Sequence, residues 1–464
     1  MRPRKRTRQI NQMIALVVFL VTLLVFGILH IILPDQDISV DEGRELQSFP
    51  KLTYEDLRSG ELAPKMDGWY NDQFPFRDGL LSIGNAWRAV AYPNLNADGV
   101  AILPVQNLDV IGKPGTPDAT DPADVPPETT PVETAPKATD PEATVPATTM
   151  PPTTTEPPKP PPLPAGNVDD RTQSLGVIIL NNRIMERYYG TPSKLEAYGD
   201  RLSRLNQALP DTTTLYSLIV PTAIEIYGPD AYHAGYSSQK DCIDIVRTRL
   251  DSDIESVRAL ENLLLHRDEY LYFRTDHHWT MRGAYYAYVA FCESAGLTPV
   301  PMDQMEHYEL EGTFLGSLYR LVKDQRFQKH ADTTEGWRPN AEYTATAWDK
   351  GDMKSSYQIR LNDTRVKGAY SYLHFSGGDR ALLKITTNHQ SGRRIVMIKD
   401  SFGNAFTPLL ANHFDEIYVI DPRYYERDLM TLIRDEDITD VLILNGMFST
   451  SGKIYLDGFD AITP

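Results

Sequence analysis

Cysteine is almost absent from the sequence. Cys242 and Cys292 are the only two in 464 residues, which excludes a disulfide-rich scaffold. The sequence has no Cys-x-x-Cys motif and no Cys/His cluster with the spacing of a structural zinc site. Both cysteines fall in segments with helical periodicity. They can pair outside the cytoplasm or remain as two buried thiols, because backbone geometry decides between these outcomes.

Basic residues are scarce relative to acidic ones. The chain has 46 Lys and Arg against 63 Asp and Glu, and its formal net charge is −17. Five of the basic residues are concentrated near the N-terminus, in RPRKRTR, so the remainder is more acidic still. Nucleic-acid binding depends on cationic side chains that neutralise phosphates. We therefore expect no nucleic-acid partner.

Long apolar runs are missing except at 13–33. This segment, MIALVVFLVTLLVFGILHIIL, carries no charge and is long enough to cross a bilayer as one helix. The basic arm at 1–12 predicts a cytoplasmic N-terminus, with everything after Pro34 outside the cytoplasm. The end of this run and the residues after it, ILHIILPDQD (28–37), have no small-x-small cleavage site, which favours an uncleaved anchor over a signal peptide. We predict a single-pass protein of the cell membrane.

Apolar periodicity is missing from 113–165. Residues 113–164 hold 17 of the 34 prolines and 12 threonines. Such a segment cannot bury enough apolar surface to offset the entropy of ordering, so we predict a disordered or extended Pro/Thr-rich segment. It separates an N-terminal part of the ectodomain, 34–112, from a larger domain at 166–464. It is either a stalk or an insertion.

Strands and helices alternate in 166–464, which predicts an α/β domain with a parallel sheet. The residues 301–390 show no clear pattern. The predicted strands are 176–180, 214–220, 270–273, 395–399, 416–420 and 440–444, and the predicted helices are 193–209, 241–250, 254–265, 281–294, 404–412 and 426–434.

Two polar motifs follow predicted strands, where the functional loops of α/β sheets lie. One contains Asp276, His277 and His278, and the other contains Ser401. A serine nucleophile needs a base and a third group that orients the base. In an extended segment, residues i and i+2 point the same way. We therefore predict Ser401 as nucleophile, His278 as base and Asp276 as its partner, with His277 pointing away.

Other residues near these motifs are weaker candidates for binding substrate or an oxyanion. The backbone N–H of Ser401 and those of the next residues would lie at a helix N-terminus, where they can stabilise negative charge. Extra donors are Asn404, Arg423 and Asn445, and flat surfaces for a sugar ring are offered by Trp279 and Tyr272.

Each of these features also has a structural interpretation. Ser401 after an aspartate is typical of a helix cap, and Trp279 is more often a core residue than a ligand-binding wall. The adjacent Asp276, His277 and His278 suggest a metal site, but they lack the ligand spacing of known zinc sites.

The two motifs also resemble known sequence blocks. TDHHWTMRGAYYAY (275–288) resembles the signature of the bacterial DHHW proteins. IVMIKDSFGNAFTPLLANHFDEIYVIDPRYY (395–425) is similar to the nucleophile block of the alginate O-acetylation proteins, which are extracytoplasmic SGNH-hydrolase-like acetyltransferases. The resemblance extends to SLIVPTAIEIY (217–227) and more loosely to EGRELQSFP and NDQFPFRD, upstream of the Pro/Thr-rich segment. Similarity on both sides favours insertion over a stalk.

The resemblance implies an SGNH-hydrolase-like parallel sheet with flanking helices, preceded by one transmembrane helix. It places the family's Asp-x-His-Trp motif on Asp276, His278 and Trp279, and its serine on Ser401. The sequence departs from the common SGNH pattern in two ways. Ser401 lies in Lys-Asp-Ser-Phe rather than Gly-Asp-Ser, and separate Gly and Asn oxyanion blocks are not evident.

We therefore expect a membrane-anchored, extracytoplasmic O-acyl (acetyl) transferase or esterase that acts on a cell-wall or secreted polysaccharide through an acyl-serine. Transfer is preferred to hydrolysis only by the resemblance. The chemistry requires no cofactor, but an external acyl donor implies a membrane acyl-exporting partner. The alternatives are a non-catalytic polysaccharide-binding or envelope-assembly protein with a degenerate site, and a metal-dependent hydrolase that uses Asp276, His277 and His278.

Overall fold

The computed structural model describes residues 175–366 and 368–464, together with 160–163 and separate positions between 27 and 75. Most of the predicted segments 1–12, 13–33, 34–112 and 113–165 lie outside the described residues. Within 13–33, Gly27 and Leu29 are helical. Among the described residues, no helix combines the length and apolar character needed to span a membrane.

The chain from residue 175 onward alternates strands and helices, with several additional short strands. In the first half these elements are β1 (Val177–Leu180), β2 (Arg183–Glu186), α1 (Pro192–Ala208), β3 (Thr214–Val220), α2 (Ala223–Tyr227), α3 (Gln239–Arg247), β4 (Glu255–Ser256), α4 (Ala259–Leu265) and α5 (Met281–Ser294). The second half contains β5 (Glu306–Glu309), α6 (Ser317–Val322), β6 (Glu335–Arg338), β7 (Tyr343–Trp348), β8 (Tyr357–Gln358), β9 (Leu382–Thr387), β10 (Arg394–Lys399), α7 (Gly403–Leu410), β11 (Glu416–Ile420), α8 (Leu429–Asp435), β12 (Asp440–Gly446) and α9 (Lys453–Ile462).

An eight-stranded mixed sheet forms the centre, with strand order β8-β7-β9-β11-β10-β12-β3-β4. The five strands from β11 to β4 are parallel, whereas β8, β7 and β9 pair antiparallel with their neighbours. The prediction of a parallel sheet is therefore wrong for three strands. These strands come from 301–390, where β7 buries only alternate residues, as expected when one face of an antiparallel strand is less covered.

Three predicted elements differ from those observed. The strand predicted at 176–180 pairs with β2 in a separate hairpin, whose turn residues Asn181 and Asn182 both have positive φ, as tight hairpin turns require. The segment 254–265 begins with β4 at the edge of the sheet before it becomes helical. Residues 270–273 form only a single bridge, between Tyr272 and Trp279.

The central strands of the sheet are buried along almost their whole length, because helices flank the sheet and leave no polar face. Parallel strands β10, β11 and β12 all end at the same edge. Residues that follow them, including Ser401, therefore meet at that edge.

The two cysteines lie on different helices, α3 and α5. Both Cys242 and Cys292 are free and buried, so the disulfide alternative is wrong. Burial raises the pKa of the Cys242 thiol to about 11 and that of Cys292 to about 12, which makes both thiols poor nucleophiles.

Candidate active site

Asp276, His278 and Ser401 form one continuous chain of hydrogen bonds. The Asp276 carboxylate lies 2.6 Å from Nδ1 of His278, and Nε2 of His278 lies 2.7 Å from Oγ of Ser401. An ionised carboxylate only accepts hydrogen bonds, so Nδ1 carries the proton and Nε2 is left to accept from the serine hydroxyl. All three residues are buried. The arrangement places the serine hydroxyl where it can donate its proton to the histidine.

A short closed loop holds Asp276 and His278 in place. The loop is closed by the Tyr272–Trp279 bridge, and the N–H of Phe273 donates to the carbonyl oxygen of His278. Immediately afterwards, the Thr280 side chain caps helix α5 by accepting from the third residue of the helix. The histidine is thus fixed between a bridge and a capped helix.

Asp276 accepts hydrogen bonds from three N–H groups. Its Oδ1 also accepts from the backbone of His278 at 3.0 Å, and its Oδ2 accepts from the backbone of Ser317 at 2.8 Å. Burial alone would raise the pKa of Asp276, but the imidazoles of His278 and His277 and these hydrogen bonds outweigh burial. They hold the pKa well below its usual range.

Gly316 leaves the space that Asp276 occupies. A Cβ at Gly316 would lie 2.3 Å from the Cβ of Asp276 and 2.5 Å from its Oδ2. The backbone at the start of α6 can therefore approach the carboxylate closely enough for the Ser317 N–H to donate a hydrogen bond to Oδ2. The glycine sets the position of the carboxylate.

Ser401 lies in the turn between β10 and α7, and Asp400 fixes that turn. Asp400 accepts from the N–H of Phe402 at 3.0 Å and from that of Gly446, at the end of β12, at 2.6 Å. It therefore ties the Ser401 turn to the neighbouring strand.

Tyr372 contacts both Ser401 and His278. Its hydroxyl donates to the carbonyl oxygen of Ser401 at 2.9 Å, and its ring stacks on His278 with centroids 3.8 Å apart and planes at 10°. Burial raises the pKa of Tyr372 well above its usual value, so the hydroxyl remains a donor. No local motif marks Tyr372, Gly316 or Ser317, which all lie in the unassigned region 301–390, so they were not predicted from the sequence.

The predicted position of His277 is wrong. Its Nδ1 lies 2.6 Å from Oγ of Ser317, and its ring lies 3.7 Å from that of His278, tilted by 37°. The segment forms a closed loop rather than an extended strand, so the alternation of side chains along a strand does not apply. Both histidines and Asp276 therefore share one buried cluster, with candidate metal-ligating atoms within 4.8 Å of one another. The hydrogen bonds to Ser317 and Ser401 already use a nitrogen of each ring.

The predicted extra oxyanion donors are engaged with other protein groups. The Asn404 amide donates to Asp379 at 3.0 Å while its oxygen accepts from Lys399. Arg423 donates to Asp379 and to Asp421 at 2.8 Å and 2.6 Å.

Asn445 and the backbone after Ser401 are engaged as well. Asn445 accepts from Tyr198 at 2.6 Å and donates to the Leu444 carbonyl. The N–H of Phe402 is bound by Asp400. The prediction that this N–H is available to an oxyanion is wrong, because the carboxylate one residue before the serine takes it.

Trp279 and Tyr272 cannot present flat surfaces to a sugar. Both are 0% exposed. The Trp279 indole donates to the Phe402 carbonyl at 2.9 Å, and the Tyr272 hydroxyl donates to the Pro221 carbonyl at 2.5 Å. Both are packed inside the fold, so the interpretation of Trp279 as a core residue is confirmed and the prediction for Tyr272 is wrong.

A family model and one solved structure indicate the same family, and a second solved structure shares the fold. The family model described as "DHHW protein" matches residues 161–420. The structure of a DHHW family protein from Eubacterium siraeum DSM 15702 is 29% identical, with a TM-score of 0.56 over 62% of this chain and 95% of that one. Bacillus cereus PatB1, solved with a sulfonyl adduct, is 19% identical, with a TM-score of 0.50 over 63% of this chain and 99% of that one.

A weaker similarity links the chain to the O-acetyltransferase domain of Pseudomonas putida AlgJ. The identity is 13% and the TM-score 0.33, over 60% of this chain and 90% of that one. No match is found among the curated proteins.

Proposed function

Because this chain belongs to the DHHW protein family, we propose that it is an acyltransferase or esterase that works through an acyl-serine on Ser401. The observation that carries the proposal is the chain of hydrogen bonds from Asp276 through His278 to Ser401, at 2.6 Å and 2.7 Å. Asp276 lies in the family's own motif, and Ser401 lies 125 positions later at the end of a sheet strand.

The first step forms an acyl-enzyme. Oγ of Ser401 attacks the carbonyl carbon of an acyl donor while its proton passes to Nε2 of His278. Asp276 holds the Nδ1 proton and stabilises the imidazolium. When the tetrahedral intermediate collapses, the bond to the donor's alcohol breaks, and His278 returns the proton to the leaving oxygen.

The second step releases the acyl group. His278 takes a proton from a sugar hydroxyl or from water as that oxygen attacks the acyl-serine, and it then returns the proton to Oγ of Ser401. A sugar acceptor makes the enzyme a transferase and water makes it an esterase. We propose transfer, on the strength of the resemblance of 395–425 to the alginate O-acetylation proteins.

The fold is proposed to be SGNH-hydrolase-like. The support is a sheet with five parallel strands and a buried serine directly after the central strand β10. The similarity to PatB1 concerns the fold alone.

The substrate, location and partners are proposed from the sequence. The uncharged run at 13–33 behind a basic arm supports a membrane anchor that leaves 34–112 and the domain at 166–464 outside the cytoplasm. The acceptor is then a cell-wall or secreted polysaccharide, and a membrane acyl-exporting partner supplies the donor. The Pro/Thr-rich segment 113–165 is proposed to be an insertion in the ectodomain.

The test uses the full-length protein, purified in mild detergent, with p-nitrophenyl acetate as acyl donor. We expect release of p-nitrophenol that falls by about 10²–10⁴-fold in His278→Ala and to background in Ser401→Ala. Ser451→Ala is the matched control, since Ser451 makes no side-chain hydrogen bond in the described part of the chain. Folded protein with equal rates in Ser401→Ala and the parent would overturn the proposal.

A second candidate function is non-catalytic polysaccharide binding. It is favoured by one observation, that the Phe402 N–H and the Asn404 amide are engaged with Asp400 and Asp379. Glycan binding that survives Ser401→Ala, in a protein that forms no acyl adduct, would support this candidate. Loss of p-nitrophenol release on adding a chelator, with recovery on adding a metal ion, would instead support the metal-dependent alternative.

A further inference from the structure

A cavity of about 370 Å³ lies beside the β1–β2 hairpin, separate from Ser401 and His278. Its wall includes three arginines, Arg183, Arg267 and Arg274, and the rings of Tyr227 and Tyr270. None of these residues has a role in the proposed acyl transfer. The volume is within the usual range of about 300–1,000 Å³ for small-molecule sites.

Arg183 is a partly buried cation with no carboxylate at hydrogen-bonding distance in the part of the chain that the structure describes, and the nearby buried Asp332 attracts it only from further away. Its Nη1 donates to the carbonyl oxygens of Tyr272 and Phe273, and its guanidinium lies 4.1 Å above the ring of Tyr227. Within the described residues, no carboxylate lies within salt-bridge distance of Arg183, and Nε and Nη2 make no hydrogen bond. A partly desolvated cation is stabilised when a negative group binds its remaining N–H donors.

Arg267 likewise has no carboxylate at salt-bridge distance among the described residues, although Asp230 and Glu225 attract it from further away. Its only hydrogen bond in the described part of the chain is a long one, 3.4 Å to the Leu264 carbonyl. The acid next to the cavity, Glu269, binds Arg282 at 2.9 Å, which leaves the exposed Asp268 as the acid at the rim. In a chain with net charge −17, two guanidinium groups at one cavity whose hydrogen bonds, among the described residues, go only to backbone carbonyls leave N–H donors that an external anion can bind.

The chemistry of the wall defines the ligand. Arginine presents a planar fork that binds carboxylate or phosphate through paired, charge-assisted hydrogen bonds. The Tyr227 ring under Arg183 and the Tyr270 ring, 4.4 Å from the guanidinium of Arg274, hold two of the cations in place. We propose that this cavity is a binding site for a carboxylate or phosphate group on a ligand no larger than a sugar unit.

The cavity contacts the start of the loop that carries Asp276, but anion binding there does not require Ser401. Arg183 binds the carbonyl oxygens of Tyr272 and Phe273, and the N–H of Ile184 donates to the Arg274 carbonyl at 2.8 Å. A ligand that immobilises Arg183 therefore also steadies the start of this loop. Binding should be the same in Ser401→Ala, which separates this site from a substrate site at the serine.

The test is calorimetric titration of the full-length protein in detergent, at low ionic strength, with glucuronate, inorganic phosphate and glucose. We expect glucuronate, phosphate or both to bind while glucose does not, and added salt to weaken binding. Which anion binds distinguishes a uronic acid from a phosphate-bearing ligand, and either result supports the proposal. Binding of glucose as tight as that of the anions would overturn it, as would no binding of either anion.

Variants at the rim and inside the cavity locate the binding. Arg267→Gln should weaken anion binding by about tenfold or more, the value expected for a hydrogen bond to a charged group. Arg183→Lys keeps the charge but loses the fork, so it should weaken binding as well. The control is Arg258→Gln, since the Arg258 side chain is 77% exposed and lies outside the cavity. Equal affinity in all of these proteins would show that the anion binds elsewhere.

Discussion

Replacing Asp276 by asparagine should prevent His278 from acting as a base while keeping a side chain of the same shape. Two N–H groups of His278 point at Oδ1 of Asp276, and the N–H of Ser317 points at Oδ2. Asparagine has the same shape but only one acceptor oxygen. At least one of these three donors must therefore lose its acceptor.

Each orientation of the new amide has a defined cost. With its oxygen towards His278, the amide nitrogen faces the Ser317 N–H, and a buried donor without a partner costs about 1–3 kcal/mol of stability. With its nitrogen towards His278, the Nδ1 atom must accept, so the proton moves to Nε2. That tautomer can no longer accept the proton of Ser401. We expect p-nitrophenyl acetate turnover to fall by about 10²–10⁴-fold, the range for loss of a general base.

The matched control is Ser317→Ala. It removes the hydroxyl that contacts His277 but keeps the backbone N–H that binds Asp276. We expect this variant to keep most of its activity. If Asp276→Asn turned over the ester as fast as the parent, or if Ser317→Ala were equally impaired, the role assigned to the carboxylate would be wrong.

Three further predictions concern acid stability, packing and thiol reactivity. Because the folded pKa of Asp276 is well below its unfolded value of about 3.9, its contribution to stability is complete above about pH 4 and is lost as the pH falls towards the folded pKa. In urea unfolding, the stability gap between the parent and Asp276→Asn should therefore narrow below about pH 4, and a gap that widens there would contradict the linkage. Gly316→Ala should lower both the melting temperature and the turnover of p-nitrophenyl acetate, since its Cβ would overlap Asp276. The control Gly452→Ala, whose Cβ would meet nothing closer than 3.2 Å, should lower neither. An equal fall in melting temperature in the two variants would contradict this. Cys242 and Cys292 should react with Ellman's reagent only after denaturation, when two thiols should be counted, and fast reaction of the native protein would show that they are not buried.

Much of the sheet could be predicted from the sequence because its central strands have a strong local signature. Strands β3, β10, β11 and β12 are short β-branched runs that are buried on both faces. The residues of the hydrogen-bonded chain could be proposed because the aspartate and histidine fall within one short motif and the serine follows a strand.

The supporting residues could not be predicted, because their contacts are made across the fold. Ser317 reaches Asp276 from 41 positions away, and Tyr372 reaches Ser401 from 29. Neither lies in a motif, and both come from the region that also supplies the antiparallel strands. The prediction that His277 points away from Asp276 was wrong for the same reason. The direction of its side chain depends on the closure of the loop by the Tyr272–Trp279 bridge rather than on local periodicity.

The most direct measurement of the central claim is to locate the acyl group. The full-length protein would be mixed with p-nitrophenyl acetate, quenched in acid within its first turnover, digested and examined by peptide mass spectrometry. We predict one acetyl group on the peptide that contains Ser401, and none on that peptide in Ser401→Ala. An acetyl group on another residue, or none in a protein that still releases p-nitrophenol, would contradict it.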